Sequence, residues 1–413
     1  MGWTWKPKAG WRMGVVGLLG TWLGMTAACA QTAPQALHTD PLNLDPAVRQ
    51  AFQHFYNLDY DGALSRFDAV LNKHPDDPMA VDDVLLVTIF RELYHLDLLD
   101  TTLYAHEGFL TSKRVVNEDP AVRKRIQELI QRAVSLSDQR LKANPADKNA
   151  LFTRGYARSM SATYIGLVDH SFVSGLHQAL QARSDHEHVL QLDPGYADAK
   201  MVVGIHLFAV ASLPRTLRIL VGIAGIGGSK SRGLQYLTDA AEHGVITSVE
   251  SKTTLSLFLR HDARYQEAIG WAHQLAEQYP HDYLFRLEEA NLTKDAGDGP
   301  KAIAIYRTVL EDAQKKGYFV EPRLQLAWFG LADTLRGQNA VQQAADGYMQ
   351  AAAQPNCSDW LRRRSQLNAG EMFDLLHERS QAKAQYQLAI NGGGDSSQAD
   401  AAKRYLKMPY TGK

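Results

Sequence analysis

Apolar residues recur every three or four positions along most of the chain from residue 45 onward. This spacing places apolar side chains on one face of an α-helix, and the chain shows no sustained alternation of apolar and polar residues, which is the pattern of a strand. Short breaks separate the helical segments, among them Asp119-Pro120, Asn144-Pro145 and Asp193-Pro194. A proline ends one helix, and the aspartate or asparagine beside it caps the next. The pattern therefore predicts an all-α protein of consecutive helices.

A repeated motif marks the second half of the chain. It consists of an alanine, an aromatic or small residue four positions later, and an apolar residue three positions beyond that. The motifs begin at Ala268, Ala302, Ala344 and Ala382, which are 34, 42 and 38 residues apart. Small residues, which let two helices approach closely, stand twelve positions before the last three motifs: Ala290, Ala332 and Gly370. Recurrence at about 34 residues is typical of stacked helix pairs.

In this spacing and in its residue types the chain resembles the tetratricopeptide repeat (TPR) family. The unit that matches best contains Trp328, Leu331, Ala332, Ala344, Tyr348 and Pro355. A second match near the front contains Ala51, Ala63, Phe67 and Pro75. The resemblance implies a right-handed α-solenoid of antiparallel helix pairs, because one pair cannot bury its apolar face alone and neighbours must share a core. It implies almost nothing about chemistry.

The same pattern divides the chain into parts. We predict a signal peptide at 1–30, a flexible N-terminal segment at 31–44, divergent TPR-like helical pairs at 45–249, a clearer TPR array at 250–391, and a capping helix with a tail at 392–413. The section 198–245 is unusually apolar and glycine-rich. It resembles a segment of exported bacterial TPR proteins of an uncharacterised family, and that resemblance brings no activity with it.

The predicted signal peptide has a basic start, an apolar run from 15 to 28 and small residues up to Ala30. Cleavage after Ala30 predicts a soluble protein of the periplasm. Cleavage before Cys29 predicts a lipoprotein anchored to the outer membrane, although the residues before Cys29 match a lipoprotein signal weakly. An uncleaved anchor is a third alternative, which we disfavour because a membrane span needs about 20 apolar residues.

Composition narrows the classes of partner. The chain has 413 residues, of which 45% are hydrophobic and 22% charged, as in an ordinary globular protein. Removing residues 1–30 changes the net charge from −1 to −4, because that segment contains three basic residues and no acidic one. This charge does not favour nucleic acid, and membrane contact is predicted only through a lipid on Cys29. Either cleavage leaves Cys357 without an intrachain disulfide partner, so packing must hold the fold.

Several clusters suggest chemistry, and for each we favour a structural explanation. In the sequence Asp185-His186-Glu187-His188 the two histidines lie on different helix faces, so no metal site is predicted. The glycine-rich run at 222–231 lacks the spacing of a phosphate-binding loop. The adjacent acids Asp82-Asp83 and Glu288-Glu289 are predicted to lie on solvated faces. We therefore predict no catalytic residue, no cofactor and no enzyme activity.

The first helices of the pairs offer the clearest candidate site, because equivalent repeat positions form columns along them. One column contains Arg260, Lys294, Arg336 and Asp374, a second Leu257, Asn291, Asp333 and Glu371, and a third Thr253, Leu287, Phe329 and Leu367. We predict that an extended peptide or a terminal carboxylate binds to Arg260, Asn291, Lys294, Arg336, Leu287 and Phe329. The alternative is that the basic residues only satisfy carbonyls at helix C-termini.

Together these features predict a periplasmic scaffold or adaptor that binds a protein or peptide in its concave groove. Two alternatives remain open. One is a binding protein for a small apolar or anionic ligand, held by the section 198–245. The other is an all-helical cell-envelope enzyme whose site is assembled from distant helices and therefore leaves no motif. The sequence does not identify the partner or the oligomeric state.

Overall fold

Aspartates at the predicted breaks begin several of the helices. The computed structural model describes residues 37–103, 116–169, 171–213, 227–392 and 397–412. The carboxylates of Asp45, Asp77 and Asp119 each accept a hydrogen bond from the backbone amide two residues later, and a proline occupies the first turn of each helix. Asp282 caps its helix in the same way. These residues act as helix starts because they satisfy amides that have no partner within the helix.

The described residues contain seventeen α-helices and no strand. The helices are α1 Pro46–Phe55, α2 Tyr60–Lys73, α3 Pro78–His95, α4 Pro120–Ala143, α5 Lys148–Tyr164, α6 Phe172–Leu192, α7 Ala197–Ser212, α8 Lys230–His243, α9 Ser248–His261, α10 Tyr265–Gln278, α11 Tyr283–Asp295, α12 Gly299–Asp312, α13 Gln325–Gly337, α14 Val341–Ala353, α15 Asp359–Leu375, α16 Arg379–Asn391 and α17 Ser397–Lys407. Each helix packs against the next one described, from α1 to α17. The predicted all-α solenoid of helix pairs is confirmed.

The repeated motif forms the core between the helices of the C-terminal pairs. The four motif alanines are fully buried, and so are Tyr306, Tyr348 and Tyr386, which stand four residues after the last three alanines. Gly370 lies against Tyr386 so closely that a β-carbon there would be 2.5 Å from the ring. The small residues therefore make room for the tyrosine of the second helix, as the resemblance implies.

The residues just before α1 are packed rather than loose. Asp40 caps a short 3-10 helix, Pro41–Leu44, and the buried Asn43 donates a hydrogen bond to Thr39. Thr39 donates in turn to Asp198 at the start of α7, at 3.3 Å. From His38 onward this differs from the flexible segment expected at 31–44, because these polar residues find partners far away in the sequence. Residues 1–36 lie outside the described residues.

Helices α1 to α3 lie against the first helices of the C-terminal pairs. Tyr56, which ends α1, donates a hydrogen bond to Glu250 of α9 at 2.8 Å. Tyr94 of α3 contacts Tyr283 of α11 through their hydroxyl groups, at 3.0 Å. Contacts across about 190 residues of sequence therefore join the N-terminal helices to the middle of the solenoid, within one body that extends from His38 to the C-terminus.

Among the described residues, no helix combines the length and the apolar character that crossing a membrane requires. The signal peptide predicted at 1–30 and the anchoring cysteine Cys29 belong to the part of the chain that the structure does not describe.

Candidate binding site

The surface formed by α9, α11, α13 and α15, here called the first-helix face, carries the predicted columns. The three cations of the first column each pair with a carboxylate of the next helix pair. The pairs are Arg260 with Asp295 at 2.7 Å, Lys294 with Asp333 at 3.0 Å, and Arg336 with Glu371 at 3.0 Å. These ion pairs connect α9 to α11, α11 to α13, and α13 to α15. They give the basic column a structural role that its sequence spacing did not reveal.

Two polar residues of the second column accept hydrogen bonds from the hydroxyl groups of motif tyrosines. Tyr306 donates to Asn291, and Tyr348 donates to Asp333 at 3.2 Å. Burial and the nearby cations act on the pKa of Asp333 in opposite directions. The cations, Lys294 first among them, prevail, so its pKa is lowered and this partly exposed carboxylate stays charged. The tyrosines thus tie the second helix of each pair to its first helix.

A segment of the chain itself lies along part of this face. Residues 96–103, here called the crossing segment, follow α3 and run past α11, α13 and α15. Asp97 accepts hydrogen bonds from Arg323 at 2.7 Å and from the backbone amide of Ser358 at 2.8 Å. Asn291 donates to Asp100 at 3.3 Å. A predicted peptide-binding residue therefore does bind a carboxylate, but that carboxylate belongs to the same chain.

The C-terminal tail covers a second part of the face. The backbone amide of Tyr410 donates to Asp374 at 2.8 Å, and Arg336 donates to the Tyr410 hydroxyl at 2.8 Å. The Arg336 guanidinium also lies over the Tyr410 ring, 5.7 Å from its centre. The predicted tail is therefore an ordered cover for the end of the first column.

Exposure separates the six predicted binding residues into two groups. The Arg260 side chain is only 3% exposed, and Asn291 and Leu287 are buried. In contrast, the side chains of Lys294 and Arg336 are 21% and 33% exposed, and Phe329 is partly buried. As binding residues for a partner all six stay a prediction, and the accessible ones are Lys294, Arg336 and Phe329.

A cavity of about 320 Å³ lies beneath the other end of the face. It is lined mainly by α1, α3, α5, α7, α9, α10 and α11 and by the beginning of the crossing segment, Leu99 to Thr101. Leu287 and Thr253 of the third column line it, together with Met201 and Ile205 of α7. The volume is within the range of about 300–1,000 Å³ that is usual for small-molecule pockets. The first two residues of the third column, Thr253 and Leu287, therefore belong to the cavity wall.

Besides Asp282, whose pKa burial raises to about 8, two carboxyl groups in the cavity wall have an unusual environment. Burial, with a smaller contribution from the nearby Asp198, raises the pKa of Glu250 to about 7. Burial also raises the pKa of Glu288, although Arg260 opposes this change. Each of the two carboxyl groups has one oxygen without a hydrogen-bond partner in the described part of the protein. Sequence reasoning did not identify this pair, because single glutamates on separate helices form no motif.

The prediction of solvated acidic pairs is wrong for Asp82-Asp83 and for Glu288. Asp82 and Asp83 are fully buried in α3, and burial raises the pKa of both well above the usual range. The cause is that α3 contacts α2, α4 and α5, so most of its surface is covered. The sequence did contain a signal, since apolar residues stand on every side of α3 around the two aspartates, and helices with apolar residues all round are buried.

The other candidate residues have structural partners. His186 is buried, its Nδ1 lies 2.9 Å from the Ala182 carbonyl oxygen, and burial lowers its pKa to about 4. Asp185 pairs with Arg154 and Arg158. Burial raises the pKa of the free Cys357 thiol to about 12, which leaves it unreactive at neutral pH. Within the described ranges, no group of three or more His, Cys, Asp or Glu residues is arranged to hold a metal ion.

The section 198–245 is only partly described, because residues 214–226 lie outside the described residues. Its lysine at 230, which sequence inspection placed near a phosphate-binding run, pairs with Asp262 at 2.5 Å and lies 5.2 Å from the centre of the Phe208 ring. Lys230 therefore has structural partners, and the contribution of this section to the cavity is made by α7.

No protein-family model and no curated protein matches the sequence. Among solved structures, the chain is similar to the APC/C hetero-tetramer Cut9-Hcn1, with a TM-score of 0.48 and 14% identity over 87% of this chain and 55% of that chain. It is also similar to yeast Tom70 (TM-score 0.40, 10% identity, 87% of both chains) and to a TPR protein from Parabacteroides merdae (TM-score 0.35, 14% identity, 77% of this chain and 97% of that one). The chain thus spans about half the length of the first of these. The likenesses are weak, and the fold assignment rests on the helix pairs described above.

Proposed function

We propose that this protein is an exported helical-repeat scaffold that binds a protein or peptide partner on its first-helix face. The observation that supports this most directly is the crossing segment. Side chains of the face donate hydrogen bonds to a carboxylate and to a backbone carbonyl of the crossing segment. Asn291 donates to Asp100, and Trp360 donates to the Leu96 carbonyl oxygen at 3.0 Å. Such groups are those that would recognise an extended peptide from another molecule.

The partner would bind where the face is still accessible, around Lys294, Phe329 and Arg336. The ion pairs of Lys294 and Arg336 are partly exposed, and exposed pairs contribute only about 0–1 kcal/mol to stability. Lys294 can therefore exchange its internal carboxylate for one on a partner at little cost. Arg336, a third of whose side chain is exposed, can bind a partner's carboxylate while it keeps its pair with the buried Glu371. Arg364 lies 5.0 Å from the centre of the Phe329 ring and adds a further positive charge beside this aromatic surface.

We further propose that the mature protein resides in the periplasm, either free after cleavage following Ala30 or anchored to the outer membrane through Cys29. The leader sequence supports export, and it leaves both cleavage sites open. The role is binding rather than catalysis, since the sequence has no catalytic motif and the Cys357 thiol is buried. The mass of the mature N-terminal peptide distinguishes the two forms, because lipidation adds acyl chains to a terminal cysteine.

The test is a quantitative pull-down from envelope extract with the double variant Lys294→Gln and Arg336→Gln. The matched control is Lys301→Gln with Lys383→Gln, which removes the same charge from exposed positions on the second helices α12 and α16. We expect the first variant to bind the captured partner about tenfold or more weakly, because charge-assisted hydrogen bonds contribute about 1.5–3 kcal/mol each. Equal loss in both variants, or loss in neither, would overturn the proposal.

A further inference from the structure

The cavity under α9 and α11 has polar groups that the fold does not use. The Glu250 carboxyl accepts a hydrogen bond from Tyr56 through one oxygen, and the Glu288 carboxyl accepts one from Thr101. The second oxygen of each is shielded from solvent and has no hydrogen-bond partner in the described part of the protein, and the same is true of the Tyr156 hydroxyl. All three residues line the cavity, and Tyr156 and Glu288 are only 2% and 7% exposed.

Such groups require an explanation, because a buried polar atom without a partner costs about 1–3 kcal/mol. Carboxylate oxygens only accept hydrogen bonds, so the missing component is a donor. Both glutamates line the same cavity, so a molecule in that cavity can supply the donor when the carboxyl group turns toward it.

The charge of the cavity wall indicates which class of hydrogen-bond donor would bind there. Asp100, Glu250, Asp282 and Glu288 all line the cavity, and the described lining residues include no lysine, arginine or histidine. Arg260 attracts Glu288 from outside the lining, whereas the charged neighbour that acts on Glu250 is another acid, Asp198. A cationic donor is therefore favoured over a neutral or negatively charged one. Of the two glutamates, Glu250 is the one that such a cation would stabilise more, because no cation among the described residues acts on it.

The remainder of the wall is apolar. Its main surfaces are the side chains of Phe55, Phe90, Met160, Met201, Phe285 and Leu287. Aliphatic and aromatic surface of this kind binds a hydrocarbon body, and each CH₂ group transferred from water contributes about 0.8 kcal/mol. A ligand that satisfies the whole cavity must then combine a hydrocarbon body with one cationic end.

From these observations we propose that the cavity binds an amphiphilic amine, with its hydrocarbon body against the apolar wall and its ammonium group hydrogen-bonded to Glu250. This proposal is independent of partner binding on the accessible part of the first-helix face. A molecule held here would contact α1, α3 and the crossing segment together with α9 and α11, and it would therefore stabilise the junction between the N-terminal helices and the middle of the solenoid.

Isothermal titration calorimetry on the purified protein tests the proposal with three probes of equal chain length: decylamine, 1-decanol and decanoate, each below its micelle concentration. We expect saturable binding of decylamine at one site, with 1-decanol and decanoate at least about tenfold weaker, because only the amine can donate charge-assisted hydrogen bonds to the carboxyl. This comparison needs no variant, so it holds even where a substitution affects folding.

The variant Glu250→Gln then locates the site. Its amide oxygen still accepts from Tyr56, but its charge is lost, so we expect about 10- to 100-fold weaker binding of decylamine and unchanged binding of 1-decanol. Glu277→Gln, at an exposed position of α10, is the matched control and should bind like the wild type. Equal binding of amine and alcohol, preference for decanoate, unchanged affinity in Glu250→Gln, or no binding of any probe would each overturn the proposal.

Discussion

The two ends of the first-helix face carry equivalent repeat positions but have become different environments. At the α9 end, Arg260 is buried. On the neighbouring helix α11, Asn291 contacts the crossing segment and Leu287 lines the cavity. At the α13 end, the corresponding Arg336 and Phe329 remain partly accessible, and the C-terminal tail covers part of Arg336. The same position in a repeat is thus structural in one unit and available to a partner in another, depending on what the rest of the chain places over it.

The largest expected effect comes from detaching the crossing segment. Asp97 and Arg323 form a buried ion pair, with side-chain exposures of 0% and 7%. Asp97 has a φ of +56°, which asparagine tolerates, so Asp97→Asn removes the charge without changing the backbone requirement. We expect a loss of about 3–5 kcal/mol in the free energy of unfolding, because Arg323 is left buried without its counter-charge. Urea denaturation measures it.

The control for this variant is Lys403→Ala, which breaks an exposed ion pair with Asp400 in α17 and should change stability by less than about 1 kcal/mol. Similar losses in both variants would mean that the crossing segment is not a specific part of the fold.

A second prediction compares two equivalent positions directly. Arg260→Gln should destabilise the protein by about 2 kcal/mol. The substitution removes the buried charge of the pair, and the loss is moderate because Asp295, which is left without its partner, is partly solvated. Lys294→Gln, one repeat later, should cost less than about 1 kcal/mol because that pair is exposed. Urea midpoints of the two variants provide the measurement. Equal losses would remove the distinction between the two ends of the face.

The third prediction concerns pH and the carboxyl in the cavity. The folded-state pKa of Glu250 is about 7, above its ordinary value of 4.5, so the folded protein holds a proton that the unfolded chain releases. Its contribution to stability is therefore fully present below the unfolded pKa and is lost as pH rises through the folded pKa, with a slope of at most about 1.4 kcal/mol per pH unit.

The stability difference between the wild type and Glu250→Gln isolates this contribution, because the shifts of other groups cancel in the difference. Unfolding measured across this range should show the wild type losing stability relative to the variant as pH increases. A difference that does not change with pH would contradict the predicted environment of Glu250.

The smallest effect is expected at the C-terminal tail. Tyr410→Phe removes the hydroxyl that accepts from Arg336 but keeps the ring beneath the guanidinium. We expect a loss of about 0.5 kcal/mol, since the hydrogen bond is partly exposed, and faster labelling of the face by a carbonyl-reactive arginine reagent. A variant that labels at the wild-type rate would show that the tail does not shield Arg336.

The C-terminal helix pairs were predictable from sequence because their determinants are local. The alanine and tyrosine of each motif lie on one helix, and Gly370 lies on the helix directly before Tyr386, so spacing alone indicates the packing. The capping aspartates, such as Asp119, act within two residues of themselves. Each of these signals is read within a single helix pair.

The site was less predictable because its contacts span long distances in the sequence. Asp97 and Arg323 are 226 residues apart, and Asp100 and Asn291 are 191 apart, so no repeat period relates them. Ion pairs such as Lys294 with Asp333 join residues of neighbouring columns, but spacing could not show that the chain itself covers part of that face. The buried Asp82 and Asp83 were misjudged for a similar reason, since the three helices around α3 decide their exposure.

Asp333 pairs with a cation of the protein, whereas the charged neighbour of Glu250 is another acid. This difference is tested most directly by carboxyl NMR titration of the purified protein, with Glu250 and Asp333 assigned by substitution. We expect Glu250 to titrate near pH 7 and Asp333 below its ordinary value. Decylamine should lower the Glu250 midpoint by about one pH unit or more and leave Asp333 unchanged, because only Glu250 gains a cation. A Glu250 midpoint near its ordinary value, or one that decylamine does not move, would contradict the assignment of this carboxyl to a ligand site.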